Sequence, residues 1–257
     1  MLRFRSLASS SAGNVTLVEA TDGATRTRIL IDCGLGLRQM EARLAEAGAA
    51  ADDLAAIFIT HEHGDHVGCV HAFAARHRIP VWSSAGTREE IGADSPDVIF
   101  NTATDGEFIA VGALQIRPFT VPHDAREPLQ LTCTDGDRTL GIVTDLGHAT
   151  PHILDALRAC HALQLESNHD PAMLARSAYP DFLKNRVGGS LGHLNNAQAA
   201  EILRALRSDR LGIVVGAHLS ERNNRPDLVR TGFAEALGRV PADVLVSSRH
   251  GLGWLPV

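Results

Sequence analysis

Residues 60–66 read Thr60-His61-Glu62-His63-Gly64-Asp65-His66, at the end of an apolar run over 54–60 that predicts a buried strand. In an extended segment, residues i and i+2 point the same way, so His61 and His63 face one point just beyond the strand end. Gly64 permits a sharp turn. Asp65 and His66 then come round at the start of a predicted helix over 66–77 and face a second point nearby. Two imidazoles for one cation, with an oxygen and a nitrogen for its neighbour, form a donor set that zinc accepts at about 2.0–2.2 Å. A lone histidine is usually a packing or surface residue. Three histidines and an aspartate within 61–66, at the end of an apolar strand, predict a metal site.

Working outward, other ligand types stand where other apolar runs stop. The run 114–121 leads through Pro122 to His123, the run 139–144 leads to Asp145, and the run 211–215 passes Gly216-Ala217 to reach His218. Upstream, the run 28–32 ends on Asp32, followed by a Cys33-Gly34 turn. Further strands are predicted over 2–7, 15–19, 81–83, 98–101, 129–134, 162–166 and 244–247. Helical periodicity predicts helices over 37–47, 87–91, 152–160, 171–177, 196–206 and 226–237. The Asp135-Gly136 pair marks a hairpin. Strands grouped in the middle, with helices interleaved on either side, predict an α/β chain built as a layered αββα sandwich, with a doubly wound sheet as the alternative. No repeat or linker breaks the chain, so one domain over 1–257 is expected.

Composition limits the chemistry. Histidine is abundant, 13 residues against one tyrosine and two tryptophans. The net charge of −6 excludes a broadly basic nucleic-acid coat but leaves room for a local basic groove. The positive charge is almost all arginine, which suits bidentate phosphate contacts. The four cysteines, Cys33, Cys69, Cys133 and Cys160, form no Cys-x-x-Cys pair, which disfavours a disulfide framework or a thiolate zinc site and fits a reducing cytoplasm. No apolar run reaches the roughly 20 residues of a membrane span. The opening Met1-Leu2-Arg3-Phe4-Arg5 lacks the apolar stretch of a secretory signal.

The order His61-x-His63-x-Asp65-His66, then His123, Asp145 and His218, resembles the metallo-β-lactamase superfamily of dinuclear metallohydrolases over essentially the whole chain. Asp32-Cys33-Gly34 matches the same pattern. Within the superfamily the chain looks most like the YycJ (WalJ)-like branch. The motifs that carry this are the opening Ser6-Leu7-Ala8-Ser9-Ser10-Ser11-Ala12-Gly13-Asn14, Val121-Pro122-His123-Asp124-Ala125, Thr144-Asp145-Leu146-Gly147-His148, Glu166-Ser167-Asn168-His169-Asp170, Gly192-His193-Leu194 and His218-Leu219-Ser220. Asn195 stands where that branch usually has serine.

The resemblance implies the four-layer αββα sandwich and two divalent ions. One is held by His61, His63 and His123, the other by Asp65, His66 and His218, with Asp145 bridging. Zinc is the first expectation, with manganese or iron as alternatives. Such a pair about 3.5–4 Å apart holds a bridging hydroxide and neutralises a phosphoryl oxygen, which suits attack on a phosphodiester. Asp65 is expected to orient the water or take its proton, and His193 to protonate the leaving oxygen, or else to cap a helix. Glu166 orients His193 by similarity to the tRNA 3′-processing endonucleases. The small-residue segment holding Ser9, Ser10, Ser11 and Asn14 is expected to approach phosphate through its backbone, or to be a tight turn between strands. Asn168 and His169 are expected to bind phosphate or to support the ligands. His148 is open between the metal rim and a helix cap. The implied function is a phosphodiesterase acting on DNA or RNA, a 5′→3′ exonuclease. The alternatives are a small-molecule phosphodiesterase similar to the phosphoribosyl cyclic phosphodiesterases, a non-hydrolytic metal- or partner-binding protein, and a thioester hydrolase.

Overall fold

A computed structural model describes residues 1–92 and 97–257. Two hydrogen-bonded sheets organise it. The first runs in the order β14-β1-β2-β3-β4-β5-β6, with β1 (Leu2–Ser10), β2 (Gly13–Thr21), β3 (Arg26–Ile31), β4 (Leu54–Phe58), β5 (Val81–Ser83), β6 (Phe100–Thr102) and an edge strand β14 (Leu255–Pro256). The second runs β13-β12-β11-β10-β9-β8-β7, with β7 (Ile109–Val111), β8 (Leu114–Thr120), β9 (Leu129–Thr134), β10 (Thr139–Val143), β11 (Ala162–Glu166), β12 (Ile213–Ala217) and β13 (Leu245–Val246). Each sheet is antiparallel in one half and parallel in the other: β3 to β6 and β10 to β13 are the parallel halves.

Three apolar layers follow from strand alternation. Phe4, Val18, Ile29 and Phe58 from the first sheet meet Ile116, Leu131, Ile142 and Val215 from the second, which makes the central core. The opposite face of the first sheet, with Leu17, Leu30 and Ile57, is covered by α1 (Leu37–Glu46), through Met40 and Leu44, and by α3 (Val70–His77), through Phe73 and Ala74. The opposite face of the second, with Leu163, Leu165 and Val214, is covered by α5 (Pro151–Leu157), α8 (Asn196–Leu206) and α9 (Pro226–Leu237). This is the four-layer αββα sandwich, not a doubly wound sheet. Short helices α2 (Gly64–Val67), α4 (Ala85–Glu90), α6 (Pro171–Arg176) and α7 (Asp181–Val187) complete the connections. No helix among the described residues is long and apolar enough to cross a membrane.

The structure departs from the sequence expectations in three places. The helix expected over 66–77 is two helices, because Gly68 takes a left-handed φ of 43° between them. The strand expected over 98–101 is β6, two residues later. The edge strands β7 and β14, and the helix α7, carry no periodic apolar pattern long enough to read. The segment holding Ser9 to Asn14 is the tight turn between strands, one of the two expectations for it: the end of β1, two residues at Ser11-Ala12 and the start of β2. The Asp135-Gly136 hairpin joins β9 to β10 as expected.

Candidate metal centre

Strand direction gathers the polar residues. In parallel strands all carboxyl ends lie on one edge, and β8 runs in the same sense as β10 because both are antiparallel to β9. Asp32 follows β3, His61 and His63 follow β4, His123 follows β8, Asp145 follows β10, Glu166 ends β11 and His218 follows β12. Asp65 and His66 belong to α2. Asp32 and His218 hold left-handed φ values of 62° and 51°, a conformation that Asp and His tolerate better than bulkier residues but that still costs about 1–3 kcal/mol.

The donor atoms cluster as the sequence pattern implies. One nitrogen each from His61, His63 and His123 lie within 4.8 Å of one another, and so do the donor atoms of Asp65, His66 and His218. Asp145 stands between them: its carboxylate groups with His61 and His66, and also with Glu166, His193 and His218.

The outer ring nitrogens are tied down, which aims the inner ones. His123 Nδ1 donates to Gly192 O (3.0 Å), His218 Nδ1 donates to Thr144 O (2.5 Å) and His66 Nδ1 donates to Asp32 Oδ2 (2.7 Å). Thr60 Oγ1 donates to Asp32 Oδ1 (2.9 Å) and accepts from His61 Nδ1 (3.0 Å). Histidines so held present Nε2 to a cation in the right tautomer. His63 is the exception: its Nδ1 faces in, 3.1 Å from His61 Nε2 and 3.3 Å from His123 Nε2. One proton on His63 cannot serve both neighbours fully.

Electrostatics agree with a cation site. Burial, with His66 alongside, pushes His61 well below the usual imidazole range, and burial likewise lowers His123, so these rings are neutral and offer lone pairs. Burial also opposes charge on His66 and His218, but the Asp145 carboxylate outweighs it and pulls both up. Burial would raise Asp65 and Asp145, yet the same two imidazoles hold both carboxyls well below their ordinary range. Asp145 Oδ2 is buried and, among the described residues, accepts no hydrogen bond of ordinary geometry. Converging lone pairs beside two ionised carboxylates, Asp145 buried and Asp65 half-buried, fit divalent cations, whose binding would displace the protons on His66 and His218.

His193 and Glu166 form a pair beside this cluster. His193 Nδ1 donates to Glu166 Oε1 (2.8 Å), while Glu166 Oε2 accepts from the backbone N–H groups of Leu146 (2.9 Å) and Leu194 (3.0 Å). Burial lowers His193, but Glu166 and Asp145 outweigh it and push the imidazole up to about 9. His193 lines a cleft of about 380 Å³ together with Asp65, Asp145 and His218.

The remaining expected residues divide. Ser11 lines the cleft. Ser9 Oγ accepts from the His218 N–H (2.7 Å), Ser10 Oγ accepts from Ala12 N (3.2 Å), and Asn14 Nδ2 reaches Asp65 Oδ2 (3.1 Å). Asn168 Nδ2 donates to His218 O (3.0 Å). His169 is buried with Nδ1 unpartnered, and burial pushes it down to about 4. Ser9, Asn14 and Asn168 thus sit behind the cluster. His148 neither joins it nor caps α5; its Nδ1 donates to Ser190 O (2.8 Å), and the cap is Thr150. Asn195, not His193, caps α8.

Sequence reasoning gave no role to Thr60, Asp124 or Arg186. Asp124 Oδ1 lies 3.8 Å from His63 Nε2, and its Oδ2 accepts from Arg186 Nε (2.5 Å). The adjacency of Asp124 to His123 was visible, but the partner on α7 was not.

Comparison with known proteins agrees with this architecture. Residues 27–215 match the Beta-lactamase superfamily domain. The chain is 31% identical to exodeoxyribonuclease YycJ of Bacillus anthracis over 243 residues, covering 92% of this chain and 89% of that one. It is 28% identical to exodeoxyribonuclease WalJ of Streptococcus pneumoniae serotype 2, covering 94% and 90%. The metallo-β-lactamase fold protein YhfI of Bacillus subtilis superposes with a TM-score of 0.77 at 16% identity, over 100% of this chain and 99% of that one, which is a likeness of fold. Domain match, relatives aligned over nearly their full length and a shared four-layer architecture lead to one conclusion: the chain belongs to the metallo-β-lactamase superfamily and is a metal-dependent hydrolase.

Proposed function

We propose that the protein is a dinuclear metal-dependent phosphodiesterase that degrades nucleic acid, as a 5′→3′ exonuclease on DNA. The observation that carries this reading is the meeting of two three-residue donor groups, with Asp145 between them, at the floor of a cleft. The exodeoxyribonuclease names of the two aligned relatives support the substrate class.

In this reading His61, His63 and His123 would hold one ion and Asp65, His66 and His218 the other, with the Asp145 carboxylate available to both. Zinc fits this nitrogen-and-carboxylate set, and manganese and iron fit it too. When bound, the ions supply Lewis acidity and a nucleophile at neutral pH. The chain supplies the rest. Asp65, an ionised carboxylate at the cleft surface, orients the attacking water or accepts its proton. His193, held by Glu166, donates a proton to the departing oxygen, as an imidazole fixed through one nitrogen can do through the other. Ser11, at the turn between β1 and β2, borders the same cleft and contacts the phosphate.

The test uses 5′- and 3′-labelled DNA and RNA oligonucleotides with zinc or manganese, beside a panel of cyclic phosphates and thioesters. Stepwise loss of nucleotides from the 5′ end is expected. Asp65→Ala is expected to lower the rate at least about 100-fold, and His193→Ala by about 10²–10⁴ with metal content retained. Turnover of cyclic phosphates alone would replace the nuclease by a small-molecule phosphodiesterase. Bound metal without turnover of any ester would leave a non-hydrolytic protein.

A further inference from the structure

The outer wall of the cleft is α7 with the residues leading into it. Tyr179, Leu183, Arg186 and Val187 line it together. Leu183, Arg186 and Val187 belong to the helix, and Tyr179 stands in the bend just before it, ahead of the extended Pro180. Tyr179 is the one tyrosine of the chain. The opposite wall is the metal centre.

This wall has two chemistries. Arg186 is 58% exposed, and its only ion pair among the described residues is through Nε to Asp124. That leaves the two terminal amino groups of the guanidinium for a second anion, in the fork geometry that suits phosphate. Three carboxylates, Asp65, Asp124 and Asp145, and the imidazoles of His63, His193 and His218 also line the cleft, and Arg186 is the guanidinium at its rim. Beside it, Tyr179 and Leu183 present apolar surface within reach of the same cleft. A flat ring next to a phosphate-binding arginine is the arrangement that holds a nucleotide: charge for the backbone, stacking for the base.

We propose that α7 and the bend that leads into it form the nucleotide-binding wall of the site, with Arg186 gripping a phosphate of the substrate and Tyr179 stacking on its base. The assignment rests on the phosphodiesterase reading for its biological sense, but not for its test. Arg186 has a second role through Asp124, whose carboxylate lies beside His63 and His123. The helix therefore couples substrate grip to the position of these two rings. The sequence-tolerant character of stacking predicts little preference among bases.

The experiment is calorimetric binding of deoxyadenosine 5′-monophosphate to the zinc-loaded protein, with deoxyribose 5-phosphate and inorganic phosphate as comparators. None contains a diester, so turnover plays no part. The wild type is expected to bind the nucleotide roughly tenfold more tightly than the sugar phosphate, the gain of one base–aromatic stack. Tyr179→Leu is expected to erase that difference. Arg186→Gln is expected to weaken all three ligands about tenfold and to flatten their salt dependence, and Arg186→Lys to restore part of the affinity. Arg158→Gln, at the exposed C-terminal cap of α5, controls for the loss of one charge. Metal content measured on each variant separates loss of grip from disturbance of Asp124. Equal wild-type affinity for nucleotide and sugar phosphate, or an Arg186→Gln protein that binds phosphate as the wild type does, overturns the proposal. If the nucleotide binds as expected but no diester is cleaved, the phosphodiesterase reading fails and the nucleotide wall stands.

Discussion

Asp32 lines no part of the cleft, yet three groups depend on it. Its carboxylate accepts from the Thr60 N–H, from Thr60 Oγ1 and from His66 Nδ1, at 2.9, 2.9 and 2.7 Å. Through Thr60 it also governs His61, so one buried side chain fixes one imidazole of each donor group. The left-handed backbone at Asp32 is the conformational cost of placing that carboxylate under both. Asp32→Asn removes one acceptor oxygen and puts a donor in its place, against groups that are themselves donors. Metal affinity is expected to fall about 10–100-fold, read by competition with a chromophoric chelator, with the fold kept by circular dichroism. Unchanged affinity would mean that the rings are aimed by packing alone. The sequence shows Asp32 as a carboxylate at a strand end but not its work, because the partners lie on β4 and α2 and meet it only through the parallel pairing of β3 and β4.

At the scale of elements, the turn after β3 packs against the junction of α2 and α3 with no room to spare. A Cβ on Gly34 would sit 1.7 Å from Asp65 O, and one on Gly68 would sit 2.4 Å from Cys33 O. Both are backbone atoms that cannot swing aside, so Gly34→Ala displaces the segment bearing Asp65 and His66. It is expected to destabilise the protein by about 3 kcal/mol in chemical denaturation and to lower metal content. Gly232→Ala, on α9 where a Cβ meets nothing within 4 Å, is expected to gain roughly 0.5–1 kcal/mol. A loss of comparable size at both positions would refute the close-packing account. The same junction explains why periodicity alone ran the helix straight through 66–77. The apolar residues Val67, Val70, Phe73 and Ala74 keep helical spacing, while the break at Gly68 is dictated by the neighbouring turn. The helix α7 is hidden for the opposite reason: it buries none of its residues, and its seven positions are too few to repeat an apolar pattern.

At the scale of the molecule, much of the centre was legible because its candidate donors stand at or just beyond the ends of apolar strands, apart from Asp65 and His66 in α2, and a layered sandwich puts those ends on one rim. His61, His63, Asp65 and His66 could be read from one strand and one turn. His123, Asp145 and His218 needed the further premise that three strands of another sheet end alongside. The ion pair of Arg186 with Asp124 could not be read at all, since it spans 62 positions and joins an irregular loop to a short helix. The donors divide between the sheets, with 61–66 following the first and 123, 145 and 218 following the second. Chelation is therefore expected to lower the melting temperature by roughly 10 °C. That is the effect of losing about 4 kcal/mol of binding free energy, the value at a thousandfold excess over Kd, in a chain of this size. A melting curve indifferent to chelator would show that the sheets hold together without help from ions.

The left-handed residue His218, the last donor along the chain, gives this arrangement a direction in time. A nascent polypeptide that has already built its first sheet still lacks a donor from β12. In the two-ion reading, the group of Asp65, His66 and His218 would stay one imidazole short until that strand has docked, whatever the earlier turn has already gathered.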